Sequence, residues 1–427
     1  MSYRILLIIF AIISTAQTRA EQSSCVSCHM SSEMVSDTSI AVAFSADDIH
    51  AKAGFDCTDC HGGDPRLGFV ESDPELAMDP AKGYKSASNR HQIPGLCSGC
   101  HSDIEFMKKY NPRLPADQFQ LYKTSVHGKL LYNDKSDKVA VCTDCHGTHG
   151  ILPSSDSRSK VYYNNIPYTC KECHSDTSYM KSFTQTGEPL PTDQFDKYSQ
   201  SIHGIKVLEE GDKSAPACNS CHGNHGASPP NLSSVSAACG ECHPNNQEFF
   251  NNSPHKEAWI EMELPECEQC HGNHLIMPVS DNMVGTEGDA LCIECHDDDS
   301  PGLIAAAGMK TDIDSLKTVL AITESAINMA EKKGVESGQS KFDLGRSNDA
   351  LIQIRSAVHT FDPDKIAEIG KPAIDNALNV KASVDNSLKD IKMRQYGLGA
   401  SLIVIILIVL GLRKKIKEVD RKINLEN

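Results

Sequence analysis

Apolar residues are distributed along this 427-residue chain in four distinct ways, and each predicts a different kind of structure. Ile5 to Ile13 form a short apolar run after Arg4 and before Thr18-Arg19-Ala20. That is the charged, hydrophobic and small-residue order of a cleaved export signal, so residues 1–20 are expected to be removed and the mature chain to start near Glu21. From 21 to 300 alternating apolar runs are few, and Gly, Pro, Asn, Ser and Asp punctuate the sequence. Short helices, scarce strands and much irregular chain follow. After Pro301 apolar residues recur at helical spacing: Leu316, Leu320 and Ile327, then Leu344, Leu351, Ile354, Val358 and Phe361. Asp362-Pro363 marks a helix start, with an N-cap side chain and a proline at the first helical position. Pro372, after Gly370, should break or kink that last helix. An antiparallel helical stalk is expected over 301–395.

The fourth pattern is the uncharged run Tyr396 to Leu412, at the short limit of what crosses a bilayer. A buried core helix is the competing reading. Arg413, Lys414, Lys415 and Lys417 follow at once, and residues 413–427 hold six basic and three acidic side chains. By the positive-inside rule, 396–412 is a transmembrane helix, 413–427 a cytoplasmic tail, and the preceding residues lie outside. The expected location is the inner membrane, single-pass. Removing the tail's +3 and the +2 of residues 1–20 from the total of −16 leaves −21 for residues 21–412. Such a field argues against nucleic acid and suits basic partners. One tryptophan and 6% aromatics are too few for a large conventional core in the region before 300.

What replaces that core is indicated by the cysteines. All 18 fall in nine copies of CxxCH: Cys25 and Cys28, Cys57 and Cys60, Cys97 and Cys100, Cys142 and Cys145, Cys170 and Cys173, Cys218 and Cys221, Cys239 and Cys242, Cys267 and Cys270, Cys292 and Cys295. Two thiols at this spacing reach the two vinyl groups of one haem, and the next residue sits beneath its iron. The proximal ligands are then His29, His61, His101, His146, His174, His222, His243, His271 and His296. Zinc knuckles share the CxxC spacing but do not require histidine at the following position, which here occurs in every copy. Nine covalently bound haem c groups are expected in residues 21–300. The porphyrins would supply the missing apolar surface, and the apo-chain should be unfolded there. Thioether attachment takes place outside the cytoplasmic membrane, in agreement with the export signal.

Eight of the motifs pair within a repeated module. DQFQLYKTSVHG from Asp117 leads to CTDCHGTHG and CKECH, and DQFDKYSQSIHG from Asp193 leads to CNSCHGNHG and CGECH. His127 to His203 and His146 to His222 each span 76 residues. A third copy begins with NNSPHK at Asn251, and a divergent first copy holds His50, CTDCHGG, His91 and CSGCH. This is duplication of a two-haem unit, with the Cys25 motif left unpaired.

Nine histidines lie outside the motifs: His50, His91, His127, His149, His203, His225, His255, His274 and His359. Nine bis-histidine haems need that number of distal ligands. His127, His203 and His255 precede their module's first motif, whereas His149, His225 and His274 follow its proximal ligand by three residues. A histidine so close cannot reach the other face of the same porphyrin, so it should serve a different haem, most simply the second of its pair. His50 and His91 take the equivalent roles in module one. His359, in the helical region, is a candidate for the unpaired first haem, with Met30 its competitor and Met34 a further candidate.

The CHGxHG, SVHG/SIHG and CxxCH blocks over about 45–300 resemble the multihaem cytochromes c with doubled CxxCH motifs found in anaerobically respiring bacteria. The resemblance implies stacked haems passing electrons along an exported domain. The single anchor is similar to that of the NapC/NirT-type quinol dehydrogenases, although there it is N-terminal and the haems number four or five. The expected fold is mainly α with much irregular structure: haem-packed two-haem modules, an antiparallel stalk and one transmembrane helix. The expected function is electron relay in anaerobic respiration, between the quinone pool or a membrane oxidoreductase and periplasmic or extracellular acceptors. Redox proteins are the expected partners, with a quinol-oxidising membrane protein among them, and no catalytic residue is needed. The alternatives are a reductase or oxidase of nitrite, hydroxylamine or a sulfur oxyanion with one open haem, and a haem-bearing subunit of a larger respiratory complex.

Overall fold

The computed structural model describes residues 23–67, 74–86, 89–185, 188–230 and 235–426. The expected export signal at 1–20 lies outside them. The described chain is mainly helical, and its one sheet there is the pair β1 (Thr184–Gln185) and β2 (Glu188–Pro189), antiparallel with Thr184 opposite Pro189. Contacts divide the chain into two compact units: Met1–Asn231 with His271–Pro278, and Leu232–Cys270 with Val279–Asn427.

In the first unit the repeated sequence blocks build repeated local structure. Gln118–Thr124 and Val126–Tyr132 are two short helices interrupted at Ser125, as Gln194–Gln200 and Ile202–Leu208 are at Ser201. The Ser125 hydroxyl donates to the Tyr122 carbonyl at 2.6 Å and accepts from the Gly128 N–H at 2.9 Å, ending one helix and capping the next. A Cβ at Gly128 would lie 1.9 Å from the Tyr122 carbonyl oxygen, which accounts for glycine after the histidine in SVHG. The repeated tyrosines anchor this helix pair to the chain leading into the next motif, Tyr122 Oη donating to the Ala140 carbonyl and Tyr198 Oη to that of Pro216.

The second unit contains three long helices, α1 (Pro301–Lys332), α2 (Gly338–Ala357) and α3 (Pro363–Glu426). Ser300 caps α1 by accepting from the Leu303 N–H at 3.2 Å, and Pro301 opens the helix where a missing N–H costs nothing. Of the apolar stripe predicted from sequence, Leu316, Leu320, Ile327, Leu344 and Ile354 are buried in one cluster shared by all three helices, and Leu351 and Val358 pack against it partly buried. Buried hydroxyls are satisfied across the helices: Thr323 Oγ1 donates to the Ala377 carbonyl and Ser347 Oγ to that of Ala373.

Pro372 does not break α3, and the helix continues through it toward the apolar segment. Proline removes one backbone bond, but Ala373 and Ala377 beyond it are buried against the other helices, and that packing holds the helix together. The same helix contains an uncharged segment long and apolar enough to cross a membrane. From Leu402 to Leu412 its large side chains are exposed, unlike those of a buried core helix.

Candidate haem sites

Each CxxCH lies on or at the end of a helical turn. Cys57–His61, Cys142–His146 and Cys218–His222 are five-residue helices, whereas Ile93–His101 and Ile166–His174 carry the motif on their last turns. Helical residues i, i+3 and i+4 share one face, so both thiols and the imidazole point to the same side. The two helix types end differently. After the first motif of a module, Gly62, Gly147 and Gly223 take φ of 67°, 84° and 81° with extended ψ, a region open essentially to glycine alone. This turn reverses the chain and positions the histidine of CHGxH. After the second motif the chain continues without such a glycine.

The motif spacing treats the two thiols of a site alike, but the structure does not. The first cysteine of every motif is partly buried, whereas the second is exposed at Cys60, Cys221, Cys242, Cys270 and Cys295. The first cysteines of the first eight motifs each meet the first cysteine of a neighbouring motif. At Cys242 the backbone closes a helical turn, its N–H donating to the Cys239 carbonyl at 3.2 Å. Cys221 ends the same kind of turn within Cys218–His222.

Among the described residues at least six proximal histidines face a non-motif histidine, and these six pairs have nearly the same separation. Ring centroids are 6.0 Å apart for His61 and His149, His146 and His225, and His222 and His274. They are 6.0 Å apart for His50 and His101, 6.2 Å for His127 and His174, and 5.9 Å for His255 and His296. An imidazole nitrogen bound to a metal at ~2.0 Å, with the ring centre roughly 1.1 Å behind it, places two facing rings about 6.2 Å apart. The six pairs therefore fit an iron between each two rings. Their planes fall into two classes. The pairs that include a first-motif histidine are near parallel, at 21°, 5° and 11°. Those that include a second-motif histidine are crossed, at 90°, 58° and 86°.

The pairing differs from the simplest sequence expectation. His149 faces His61 of the preceding module rather than the second motif of its own, and His225 and His274 likewise reach back to His146 and His222. A backbone clasp explains this. The Ile49 N–H donates to the Ile151 carbonyl at 2.8 Å, Val126 to Ala227 at 3.0 Å, and Ile202 to Ile276 at 2.8 Å. Each bond joins the residue before a pre-motif histidine to the residue two beyond the CHGxH histidine of the next module. His50 and His149, which face the two proximal histidines of module one, are thus held by one clasp, as His127 and His225 are for module two.

His91 Nε2 lies 3.2 Å from the Asp137 carboxylate. His203 begins the helix Ile202–Leu208 as His127 begins its own. His243 precedes the helix Pro244–Asn251, and His271 ends Glu266–His271. His359 sits in a short turn after α2, its Nδ1 2.9 Å from the Ser356 carbonyl, close enough to His243 to feel its charge. Among the described residues no histidine ring faces His29, and Met30 and Met34 are 43% and 54% exposed.

Consecutive motifs also touch through their cysteines. Thiol hydrogen bonds join Cys25 to Cys57, Cys97 to Cys142, Cys170 to Cys218 and Cys239 to Cys267. In each pair the bond pulls one thiol down and pushes its partner up. At the other end of the motifs, Cys60 senses Cys97 and Cys100, Cys145 senses Cys170 and Cys173, and Cys270 senses Cys292 and Cys295. Motifs adjacent in sequence are therefore adjacent in space within each unit.

Burial lowers the pKa of His101, His127, His146, His149, His174, His225, His255 and His274, favouring the neutral imidazole that binds metals. Among the described residues no three His, Cys, Asp or Glu side chains gather into a metal-ion site. One polar group escaped the sequence reading: Asp48, buried at 1% exposure and bonded to His50 Nδ1 at 3.1 Å. Its signal was visible, because the other modules place Ser125, Ser201 and Ser253 at the same distance before their histidines.

Residues 262–301, which hold the last two motifs, match the family model described as the doubled CXXCH motif. No curated protein and no solved structure matches the chain. The doubled motif supports a multihaem c-type cytochrome with covalently bound haem, and with it a function in electron transfer.

Proposed function

We propose that this chain is a nine-haem electron carrier held in the inner membrane by its C-terminal helix, with the haem domain on the periplasmic or outer side. It relays electrons between the quinone pool or a membrane oxidoreductase and periplasmic or extracellular acceptors in anaerobic respiration, docking redox proteins on its acidic exported part. Haem c, attached through the eighteen cysteines, supplies the redox couple. The chain supplies thioether anchors, proximal imidazoles from the nine motifs and distal imidazoles from the non-motif histidines. The three helices α1, α2 and α3 form the stalk, whose last helix carries the membrane segment.

The observation that carries this reading is the six histidine pairs at 5.9–6.2 Å. An iron with both axial positions filled suits outer-sphere electron transfer and leaves no position for a substrate. The contacts between consecutive motifs support a relay that follows sequence order within each unit. The test is low-temperature electron paramagnetic resonance of the oxidised protein with a haem-to-protein assay. Nine haems, all low-spin, are expected. A stoichiometric high-spin signal would overturn the pure carrier reading in favour of a reductase or oxidase, and the iron beneath Cys25 and Cys28 would be the first to examine, since theirs is the unpaired motif.

A further inference from the structure

The structure assigns Asp48 as the positioning residue that fixes the plane of His50 and lowers the potential of the haem on Cys97 and Cys100. This rests on the reading of His50 as the ligand opposite His101.

Asp48 has four donors around a carboxylate that is 1% exposed. Oδ1 accepts from the His50 backbone N–H at 2.8 Å and lies 3.1 Å from His50 Nδ1. Oδ2 accepts from the backbone N–H of Gly150 at 2.8 Å and of Ile151 at 2.7 Å. The two loop bonds hold the carboxylate in place, so it cannot swing away with the imidazole. With Nδ1 donating to Asp48, Nε2 is the nitrogen left to face His101, and rotation of the ring about that axis is restricted. The ring stands at 90° to that of His101, the most nearly perpendicular of the six pairs.

The modules of His127 and His255 carry serine at this position instead. Ser125 and Ser253, two residues before His127 and His255, donate their hydroxyls to the carbonyls of Tyr122 and Phe250. His255 Nδ1 is buried without a hydrogen-bond partner among the described residues. Among these sites, His50 alone has a buried carboxylate on its remote nitrogen. A carboxylate accepting from Nδ1–H makes the imidazole a stronger electron donor and stabilises the ferric state. The consequence is a haem of lower potential in module one than serine-supported ligands give elsewhere, a step in the relay set by one residue.

The experiment compares His50→Met, Asp48→Asn and Asp48→Ser in the intact holoprotein by spectroelectrochemical titration and paramagnetic resonance. His50→Met identifies the component that belongs to this haem by moving it to higher potential. Both Asp48 variants are expected to raise the same component, with about a tenfold change in its reduction equilibrium, about 59 mV for one electron. They should also change its large-g low-spin signal, which crossed ligand planes produce, while the haem-to-protein ratio stays at the wild-type value. Serine is what the other modules carry here, so Asp48→Ser keeps the fold testable if asparagine disturbs the loop. If His50→Met moves one component and neither Asp48 variant does, the positioning role is overturned and the ligand reading stands. If His50→Met moves nothing, the ligand reading itself fails. Loss of haem from both Asp48 variants without a shift in potential would make Asp48 a folding residue only.

Discussion

The motif region and the helical bundle use apolar residues in opposite ways. In the bundle, fifteen buried residues on α1, α2 and α3 form one cluster, which includes Met309, Leu320, Leu344 and Val384. Among the described residues of the motif region, the principal buried cluster has five: Ile93, Tyr122, Leu131, Val139 and Val141. The bundle buries enough apolar surface to order itself. The motif region, with about three times as much chain, does not, and its histidine pairs stand apart by the width that a bound metal requires. One region carries its core in its sequence, and the other acquires its core with the cofactor.

The largest effect should come from withholding that cofactor. In the whole chain produced without haem attachment, hydrogen exchange is expected to show protection retained in α1, α2 and the first half of α3 and lost between 45 and 230. Retained protection in both regions would break the comparison. A core truncation acts on the other side. Leu316→Ala, at a site with 0% exposure, should cost the bundle about 2–5 kcal/mol in chemical denaturation of the holoprotein. Every haem potential should stay where it was. A shift in potentials with this variant would show that the two regions do not stabilise themselves separately.

His149→Met sharpens the comparison from within the motif region. The structure sets His149 opposite His61, so the haem on Cys57 and Cys60 should rise in potential, on the order of 0.1 V within the ~0.8 V that axial ligands span. The bundle's stability should not change. A redox titration that leaves this component in place would remove His149 from the ligand set.

How much of this could be read from sequence differs between the regions for the same reason. Helical spacing marked Leu316, Leu320, Ile327 and Ile354 correctly, because a helix stripe is a local property. The motifs and modules were equally legible, being covalent chemistry at fixed spacing. The partner of His149 was not. It depends on the turn at Gly147 and on the bond from Ile49 to Ile151, which joins residues about a hundred positions apart. The unequal exposure of the two thiols at sites such as Cys218 and Cys221 was hidden too, because the contact that covers the first comes from another motif. At Pro372 the proline rule left a break or a kink open, and the helix runs on with Ala373 and Ala377 packed beyond it. Asp48 was visible only as a departure from serine, and a departure has no meaning until its partners are seen.

The smallest effect tests where the bundle's own stability reaches into the loop before it. Asp281, in the turn Asp281–Met283, lies between Arg355 on α2 at 2.8 Å and Lys317 on α1 at 2.7 Å. Hydrogen bonding to Arg355 comes first among the causes that hold its carboxyl at about 2, with partial burial opposing and Lys317 reinforcing the shift. Because the folded pKa is depressed, the carboxylate's contribution is fully present above the unfolded value of ~3.9 and is lost as pH falls through the folded value. The loss therefore occupies the window from about pH 4 down to about pH 2. The cation heads are partly solvated, so the contribution is about 1 kcal/mol. Asp281→Asn should remove it above pH 4 and flatten the acid limb of the bundle's stability, with the difference from the wild-type protein vanishing near pH 2. Denaturation curves at pH 2, 3, 4 and 7 would measure this, and an undiminished difference at pH 2 would mean that Asp281 acts through packing rather than charge.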